Sequence, residues 1–149
     1  MKQKFIDYYM SIAERTAELS TAKRLQVGAI VVKEDRIVSI GYNGMPAGWT
    51  NECEYHVSEY NEVTKSWYLT DETKTKPEVI HAEANAIAKL AKSTESGNGA
   101  VMFLTHAPCM DCAKQVYTAG ISKVYYKNSY RSTDGINFLN NCKVEVEQL

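Results

Sequence analysis

The chain lacks any long hydrophobic run, any internal repeat or low-complexity tract, and any apolar signal-peptide core near its first residues. A membrane-spanning helix needs about 20 apolar residues in succession, and no segment approaches that length. Asp7 and Glu14 interrupt the first segment where a secretory leader would be uniformly apolar. We therefore expect a single domain over residues 1–149 that acts in the cytoplasm and has no membrane partner.

A strong charge of one sign is also absent. The chain has 17 Lys and Arg against 18 Asp and Glu, which gives a net charge of −1. Proteins that hold a polynucleotide usually carry a basic face. A nucleic-acid substrate is therefore disfavoured, although a local basic patch stays open. Hydrophobic residues make up 44% of the chain, which is ordinary for a globular domain with a substantial core.

The apolar residues recur with the spacings of helices and strands. The predicted helices cover residues 5–19, 82–92, 109–119 and 135–140, the last capped by Asp134; the predicted strands cover 27–32, 36–41, 101–104, 123–127 and 144–146. The first two strands form a hairpin whose first strand is central and buried, and a glycine-rich loop follows over 41–48. Residues 49–79 are polar and weakly periodic, so we interpret them as an insertion. The order α-β-β-α-β-α-β-α-β predicts an α/β domain with a mixed sheet between helices.

Two short motifs carry the chemistry, His81-Ala82-Glu83 and Pro108-Cys109-Met110-Asp111-Cys112. They bring together one imidazole, two thiols and a carboxylate. In a reducing compartment, a Cys-x-x-Cys pair near a histidine indicates metal or redox chemistry rather than a disulfide. Each motif alone is weak evidence. Together they supply three protein ligands, whereas a structural zinc site normally uses four, so they predict a catalytic Zn²⁺ with one position open for water.

The positions of these residues suit hydrolysis. Both motifs fall where a strand ends and a helix begins, and partial positive charge at a helix N-terminus favours thiolates. Zinc lowers the pKa of its water from about 15.7 to about 7. Glu83 is too close in sequence to His81 to be a comfortable second ligand. We expect it to move protons instead.

With these residues in view, the sequence resembles the zinc-dependent cytidine deaminase superfamily, and within it the deoxycytidylate (dCMP) deaminases of large tailed phages. The segments that carry the resemblance lie at 24–29, 41–46, 81–87, 105–112, 119–121 and 130–131. It implies a three-layer sandwich with a mixed five-stranded sheet and helices on both faces. It also implies hydrolysis of dCMP to dUMP, in the host cytoplasm if the source is viral.

The resemblance implies a role for each site residue. His81, Cys109 and Cys112 would hold Zn²⁺, and Glu83 would shuttle protons to N3 and to the leaving ammonia while zinc-activated water attacks C4. Family members are homo-oligomers, often hexamers, activated by dCTP and inhibited by dTTP. A triphosphate effector would also bring Mg²⁺.

By position, the expected substrate contacts are Arg24, Asn43, Tyr130 and Arg131. Arginines suit a 5′-phosphate and an asparagine amide suits a sugar hydroxyl, although both arginines could be ordinary surface charges. Asn43 and Gly44 are also expected in the effector site, unless the loop glycines simply form a turn.

Other features leave alternatives open. Ala107 stands where many relatives have an aromatic residue, so His106 is expected to offer the flat surface against cytosine. Cys53 and His56 could hold a second metal, but two ligands favour an incidental pair, and Cys142 is expected to be a packing residue. The competing functions are a polynucleotide-editing deaminase that acts on a flipped-out base and a zinc-stabilised binding module without activity.

Overall fold

The computed structural model describes all residues, 1–149, and contains four helices and seven strands. The helices are α1 (Gln3–Ala17), α2 (Ala82–Ala91), α3 (Met110–Thr118) and α4 (Asp134–Asn141). The strands are β1 (Gly28–Lys33), β2 (Arg36–Tyr42), β3 (Glu54–Asn61), β4 (Ser66–Thr75), β5 (Val101–His106), β6 (Lys123–Asn128) and β7 (Glu145–Gln148). No helix is long and apolar enough to cross a lipid bilayer.

Five strands form a mixed sheet in the order β2-β1-β5-β6-β7. The β1 strand pairs antiparallel with both β2 and β5, whereas β5, β6 and β7 are parallel to one another. Because β1 is an interior strand, five of its six residues are buried. The central position predicted for this strand is confirmed.

Side-chain alternation along the strands divides the core into two layers. Ile30, Val32 and Phe103 face α1, where they pack with Tyr9 and Met10. Residues from the opposite pleat pack with α2, α3 and α4 in the larger cluster, which includes Ala29, Val31, Met102, Leu104, Ala86, Val116 and Leu139. Helices therefore cover both faces of the sheet. The expected α/β three-layer sandwich with a five-stranded mixed sheet is confirmed.

Two local features differ from the sequence-based expectation. The segment interpreted as an insertion, residues 49–79, contains a second, two-stranded antiparallel sheet of β3 and β4 for which no strands were predicted. Its strands are mostly exposed on both faces, so no alternation of apolar residues predicts them.

The other difference is at α4, where Asp134 is the first helical residue and not the cap. The N-cap is Thr133, and no side chain caps the helix.

Candidate active site

The two motifs meet because two helices begin side by side at one edge of the sheet. His81 is the N-cap of α2 and Cys109 is the N-cap of α3. Cys112 lies in the first turn of α3 and is buried. The helix starts predicted for both motifs are thus found where the ligand-bearing residues lie.

The segment before His81 is fixed by a short backbone bridge to the glycine-rich loop. Gly44 N–H donates to Ile80 O at 3.1 Å, and Ile80 N–H donates to Gly44 O at 2.9 Å. In addition, Asn85 Nδ2 donates to Tyr42 O at 3.0 Å, which ties α2 to the end of β2. Hydrogen bonds to residues just before and just after His81 therefore fix its backbone relative to the end of β2.

The three ligand atoms of His81, Cys109 and Cys112 lie within 4.8 Å of one another, and they are the one such group in the chain. His81 Nδ1 is 3.7 Å from Cys109 Sγ and 3.4 Å from Cys112 Sγ. Zinc bonds of about 2.05 Å to nitrogen and 2.3 Å to sulfur, arranged tetrahedrally, place N and S about 3.6 Å apart. The donor set and its spacing fit a zinc ion.

Hydrogen bonding within this group shifts the thiol and imidazole pKa values. Hydrogen bonds from Cys112 and His81 lower the pKa of Cys109 to about 4. The same bond to Cys109, together with burial, raises the pKa of Cys112. The pKa of His81 is raised, chiefly by its hydrogen bond with Cys109. Cys109 is therefore the thiol most readily present as a thiolate, the form that binds metals.

Glu83 lies in the first turn of α2 and is only 4% exposed. Burial is the main reason that its pKa is raised above the usual value for a glutamate. A raised pKa makes a carboxyl group a better proton acceptor than an ordinary glutamate. Glu83 shares a cavity with His81 and Cys109, so this carboxyl group is next to the cluster that fits zinc.

Two adjoining cavities, which have five lining residues in common, extend from this point. The inner cavity is lined by His81, Glu83, Cys109, Asn43 and His106, among others. The outer cavity is lined by Arg24, Arg131 and other polar residues. Tyr130 lines both cavities. The structure thus brings all four expected substrate residues, Arg24, Asn43, Tyr130 and Arg131, to one continuous cleft.

The Asn43 side chain makes two hydrogen bonds within the protein. Its Oδ1 accepts a hydrogen bond from Val27 N–H at 2.8 Å, and its Nδ2 donates to Leu25 O at 2.8 Å. The amide therefore clamps the chain entering β1 to the end of β2. One amide hydrogen is left for a ligand. Its contact with a sugar hydroxyl, like the effector role of Asn43 and Gly44, stays a prediction.

His106 and Ala107 both line the inner cavity. His106 accepts or donates one hydrogen bond, between its Nδ1 and Thr105 Oγ1 at 3.0 Å. Burial lowers its pKa, which favours the neutral ring. A neutral, half-buried imidazole beside Ala107 is compatible with the flat surface expected for His106.

The remaining cysteines lie away from the cluster. Cys53 is fully buried against Ala22 and Val79. His56 lies on the exposed hairpin, where its Nδ1 contacts Thr70 O at 2.9 Å. The two are not part of a group of three metal ligands, in line with an incidental pair. Cys142 packs against the main core, as expected.

Sequence reasoning missed the residues that the hairpin contributes to the cleft. Glu54 and Thr75 line the inner cavity, and Glu72, Thr73 and Lys74 line the outer one. They come from the segment with the weakest periodicity in the chain. Nothing in the spacing of these residues relates them to the two motifs, so only the folded chain reveals them.

A buried carboxyl group beside a His/Cys/Cys cluster, at helix N-termini on the edge of an α/β sheet, is the arrangement of a metal-dependent hydrolase. Comparison with known proteins narrows this class. Residues 3–128 match the family model of the cytidine and deoxycytidylate deaminase zinc-binding region. The chain belongs to this family.

Individual proteins similar to this chain include two deoxycytidylate deaminases. The crystal structure of the dCMP deaminase from cyanophage S-TIM5, in complex with dCMP and dUMP, is 45% identical, with a TM-score of 0.85 over 100% of this chain and 99% of that one. The human deoxycytidylate deaminase is 37% identical over 133 residues, which cover 86% of this chain and 67% of the human one. ComE operon protein 2 of Bacillus subtilis is 34% identical over 125 residues, covering 84% of this chain. The match spans only 60% of that relative's length.

Proposed function

We propose that this protein is a zinc-dependent deaminase that hydrolyses dCMP to dUMP and ammonia. The observation that carries the proposal is the single cleft that joins the His81–Cys109–Cys112 cluster and Glu83 to the arginines of the outer cavity. The cyanophage relative, which covers the whole chain at 45% identity, was crystallised with dCMP and dUMP. Both its fold and its ligands support this choice.

In this proposal His81, Cys109 and Cys112 hold the zinc ion, which when bound makes water a nucleophile at neutral pH. Glu83 takes a proton from that water and delivers it to N3 of the pyrimidine. Once the water oxygen is bonded to C4, Glu83 takes the second proton from that hydroxyl and delivers it to the C4 amino group. The C4–N bond then breaks as C4=O forms, so that one water is consumed and one ammonia is released. Burial of Glu83, which raises its pKa, suits a group that must carry a proton between these atoms.

The rest of the cleft orients the nucleotide. The base lies in the inner cavity between Glu83 and His106, and the 5′-phosphate lies in the outer cavity near Arg24 and Arg131. Tyr130 lines both cavities and is next to the sugar. Its ring also lies 5.3 Å from the Arg131 guanidinium, a cation–π contact that restrains that arginine.

We also propose control by dCTP as activator and dTTP as inhibitor, with Mg²⁺ on the triphosphate, in a homo-oligomer of the hexameric type. Support comes from the bridge between Gly44 and Ile80, because it connects the proposed effector loop to the residue before His81. A ligand that moves Gly44 would therefore move the cluster. The free cysteines, two of them buried, fit the reducing cytoplasm, which is where we place the activity.

The effector site can be tested with Gly44→Ala. A Cβ at this position meets nothing within 4 Å, and the glycine has no positive φ. The free energy of unfolding of the variant is therefore expected to lie within about 0.5 kcal/mol of the wild-type value. If dCTP or dTTP packs against the loop, the added methyl group weakens the response of the deaminase to both. An unchanged response would remove Gly44 from the effector site.

The decisive experiment for the activity is a deamination assay on dCMP, dCTP, deoxycytidine, CMP and a cytosine-containing single-stranded oligonucleotide. We expect turnover to be fastest with dCMP, since the outer cavity offers arginines to one phosphate. Turnover of the oligonucleotide alone would establish the editing alternative. Loss of all turnover in a zinc-loaded protein would favour a binding module.

A further inference from the structure

Glu54 is the first residue of β3, at the base of the hairpin. Its Oε1 accepts hydrogen bonds from the backbone N–H groups of two successive residues, Lys23 at 2.9 Å and Arg24 at 3.0 Å. The side chain also lines the inner cavity. Neither the motifs nor the expected substrate contacts include this residue, so its place in the cleft calls for a role of its own.

The segment whose backbone Glu54 binds has no regular backbone hydrogen bonding of a helix or sheet. Residues 18–27 connect α1 to β1 and contain no helix or strand. Besides Glu54, the segment is tied by Thr21 Oγ1, which donates to Asn51 O at 2.8 Å, and by Gln26 Nε2, which donates to Ser20 O at 2.7 Å. The Asn43 side chain holds Leu25 O and Val27 N–H, on the C-terminal side of Arg24. Glu54 alone binds the backbone at Arg24. A carboxylate that accepts backbone N–H groups forms charge-assisted hydrogen bonds, which are stronger than neutral ones.

The exact place of Arg24 matters because the outer cavity is not uniformly basic. Three cationic side chains line it, those of Arg24, Lys74 and Arg131, and so do three carboxylates, those of Glu72, Asp111 and Asp134. The formal charges of these six side chains sum to zero. Recognition of a phosphate therefore depends on where each guanidinium is placed rather than on an overall positive potential.

We propose that Glu54 is a positioning residue: its carboxylate fixes the backbone of Lys23 and Arg24, and thereby sets the place of the Arg24 guanidinium that recognises the 5′-phosphate. This rests on the proposed function, because it requires a nucleoside monophosphate as substrate. The insertion is then part of nucleotide selection, since the residue that holds Arg24 comes from the hairpin and not from the five-stranded sheet or its helices.

The test compares dCMP with deoxycytidine, which lacks the phosphate, in Glu54→Ala and in the near-isosteric Glu54→Gln. In Glu54→Ala we expect kcat/KM for dCMP to fall about tenfold, the size of losing hydrogen bonds to a charged group, mainly through KM. The value for deoxycytidine is expected to change less than about threefold. Glu54→Gln keeps an acceptor oxygen and is expected to recover part of the loss.

Glu59→Gln is the matched control. Glu59 lies on the same strand and accepts a hydrogen bond from Tyr68 Oη at 2.7 Å, and it lines neither cavity. A glutamine there can still accept that bond, so both substrates are expected to react at wild-type rates. Equal losses on dCMP and deoxycytidine in the Glu54 variants would overturn the proposal, because they would indicate a general structural role or direct contact with the nucleoside.

A double variant tests whether Glu54 acts through Arg24. If it does, Glu54→Ala added to Arg24→Ala lowers kcat/KM for dCMP little further, whereas independent roles give additive losses. If Glu54→Ala does not fold, the same cycle is run with Glu54→Gln. A wild-type protein that deaminates deoxycytidine as well as dCMP would overturn the proposed function and this inference together. A wild type selective for dCMP whose Glu54 variants keep that selectivity would overturn only the inference.

Discussion

At the scale of single residues, titratable groups that lie close together in the cleft have different burial and oppositely shifted pKa values. Glu83 is buried and has a raised pKa, whereas Cys109 is half-buried and has a lowered one. The raised pKa suits the proton transfer proposed for Glu83, and the lowered pKa favours the thiolate form of Cys109, the form that binds metals. The pKa values of the two groups are shifted in opposite directions because burial dominates at Glu83 and hydrogen bonding dominates at Cys109.

Replacing Glu83 by glutamine separates proton transfer from metal binding. The amide keeps the shape of the side chain and cannot transfer a proton, so we expect kcat for dCMP to fall by about 10²–10⁴-fold. Zinc content, measured by atomic emission, is expected to stay at the wild-type level because Glu83 is not among the three clustered ligands. Retained turnover would exclude Glu83 as the proton carrier.

Replacing Cys112 by alanine tests the metal cluster itself, with Cys142→Ala as its control. Cys112 contributes one of the three ligand atoms, whereas Cys142 packs at the side of the core. We expect the Cys112 variant to lose bound zinc and deaminase activity and the Cys142 variant to keep both. Equal zinc content in the two variants would contradict the assignment of Cys112 as a ligand.

The sequence predicts the residues of the cluster well and those of the cleft wall poorly. His81, Glu83, Cys109 and Cys112 stand in short motifs whose chemistry is visible without a fold. Glu54 acts on Lys23 and Arg24, about 30 residues earlier in the chain. A contact of that kind depends on how the hairpin base meets the segment before β1, which no local spacing records.

At the scale of elements, the site depends on how closely α2 approaches the sheet. Gly41 in β2 lies against α2, and a Cβ at this position would meet the backbone of Ala82 and Ala86. The same helix carries Glu83 in its first turn. A glycine in β2 therefore sets how closely the helix that carries Glu83 approaches the sheet.

We expect Gly41→Ala to destabilise the protein by about 1–3 kcal/mol, since the methyl group must push α2 away from β2. Activity is expected to fall as well, because Glu83 moves with the helix. Urea unfolding monitored by circular dichroism measures the first effect. Gly44→Ala is the control, as the added methyl group there has open space. Equal stability of the two variants would mean that α2 tolerates the displacement.

The regular elements of the body could be predicted because each buries one side, so its apolar residues recur with the period of a helix or strand. The hairpin could not, since β3 and β4 are mostly exposed and carry residues such as Trp67 and Leu69 on open surface. The predicted cap at Asp134 was wrong because the helix begins one residue earlier than expected. A short polar side chain before a helix caps it only if the backbone places it at the N-cap, and here Thr133 occupies that position.

At the scale of the whole molecule, a zinc ion on this cluster would join two helices from separate parts of the chain. His81 precedes α2 and Cys109 begins α3. A ligand that binds only the folded state stabilises it by about 2.7 kcal/mol when its free concentration is 100 times its dissociation constant. Metal binding and stability are therefore expected to rise and fall together.

Removal of zinc with a chelator is expected to abolish deamination and to lower the midpoint of thermal unfolding. Calorimetry before and after dialysis, followed by addition of zinc, measures both the loss and its reversal. The helices and the sheet have their own cores, so the fold itself is expected to persist without metal. Complete unfolding after dialysis would show that the metal is required for the fold and not only for the chemistry.

The hairpin also defines where the protein can accept foreign sequence. Its base reaches the cleft through Glu54 in β3 and residues 72–75 in β4, but the turn at residues 62–65 lies at the opposite end of both strands, and Val63 there is 91% exposed. Exposed turns of this kind tolerate insertions well. An epitope tag placed between β3 and β4 is thus expected to leave the enzyme working, which gives a handle for immobilising it with the nucleotide cleft unobstructed.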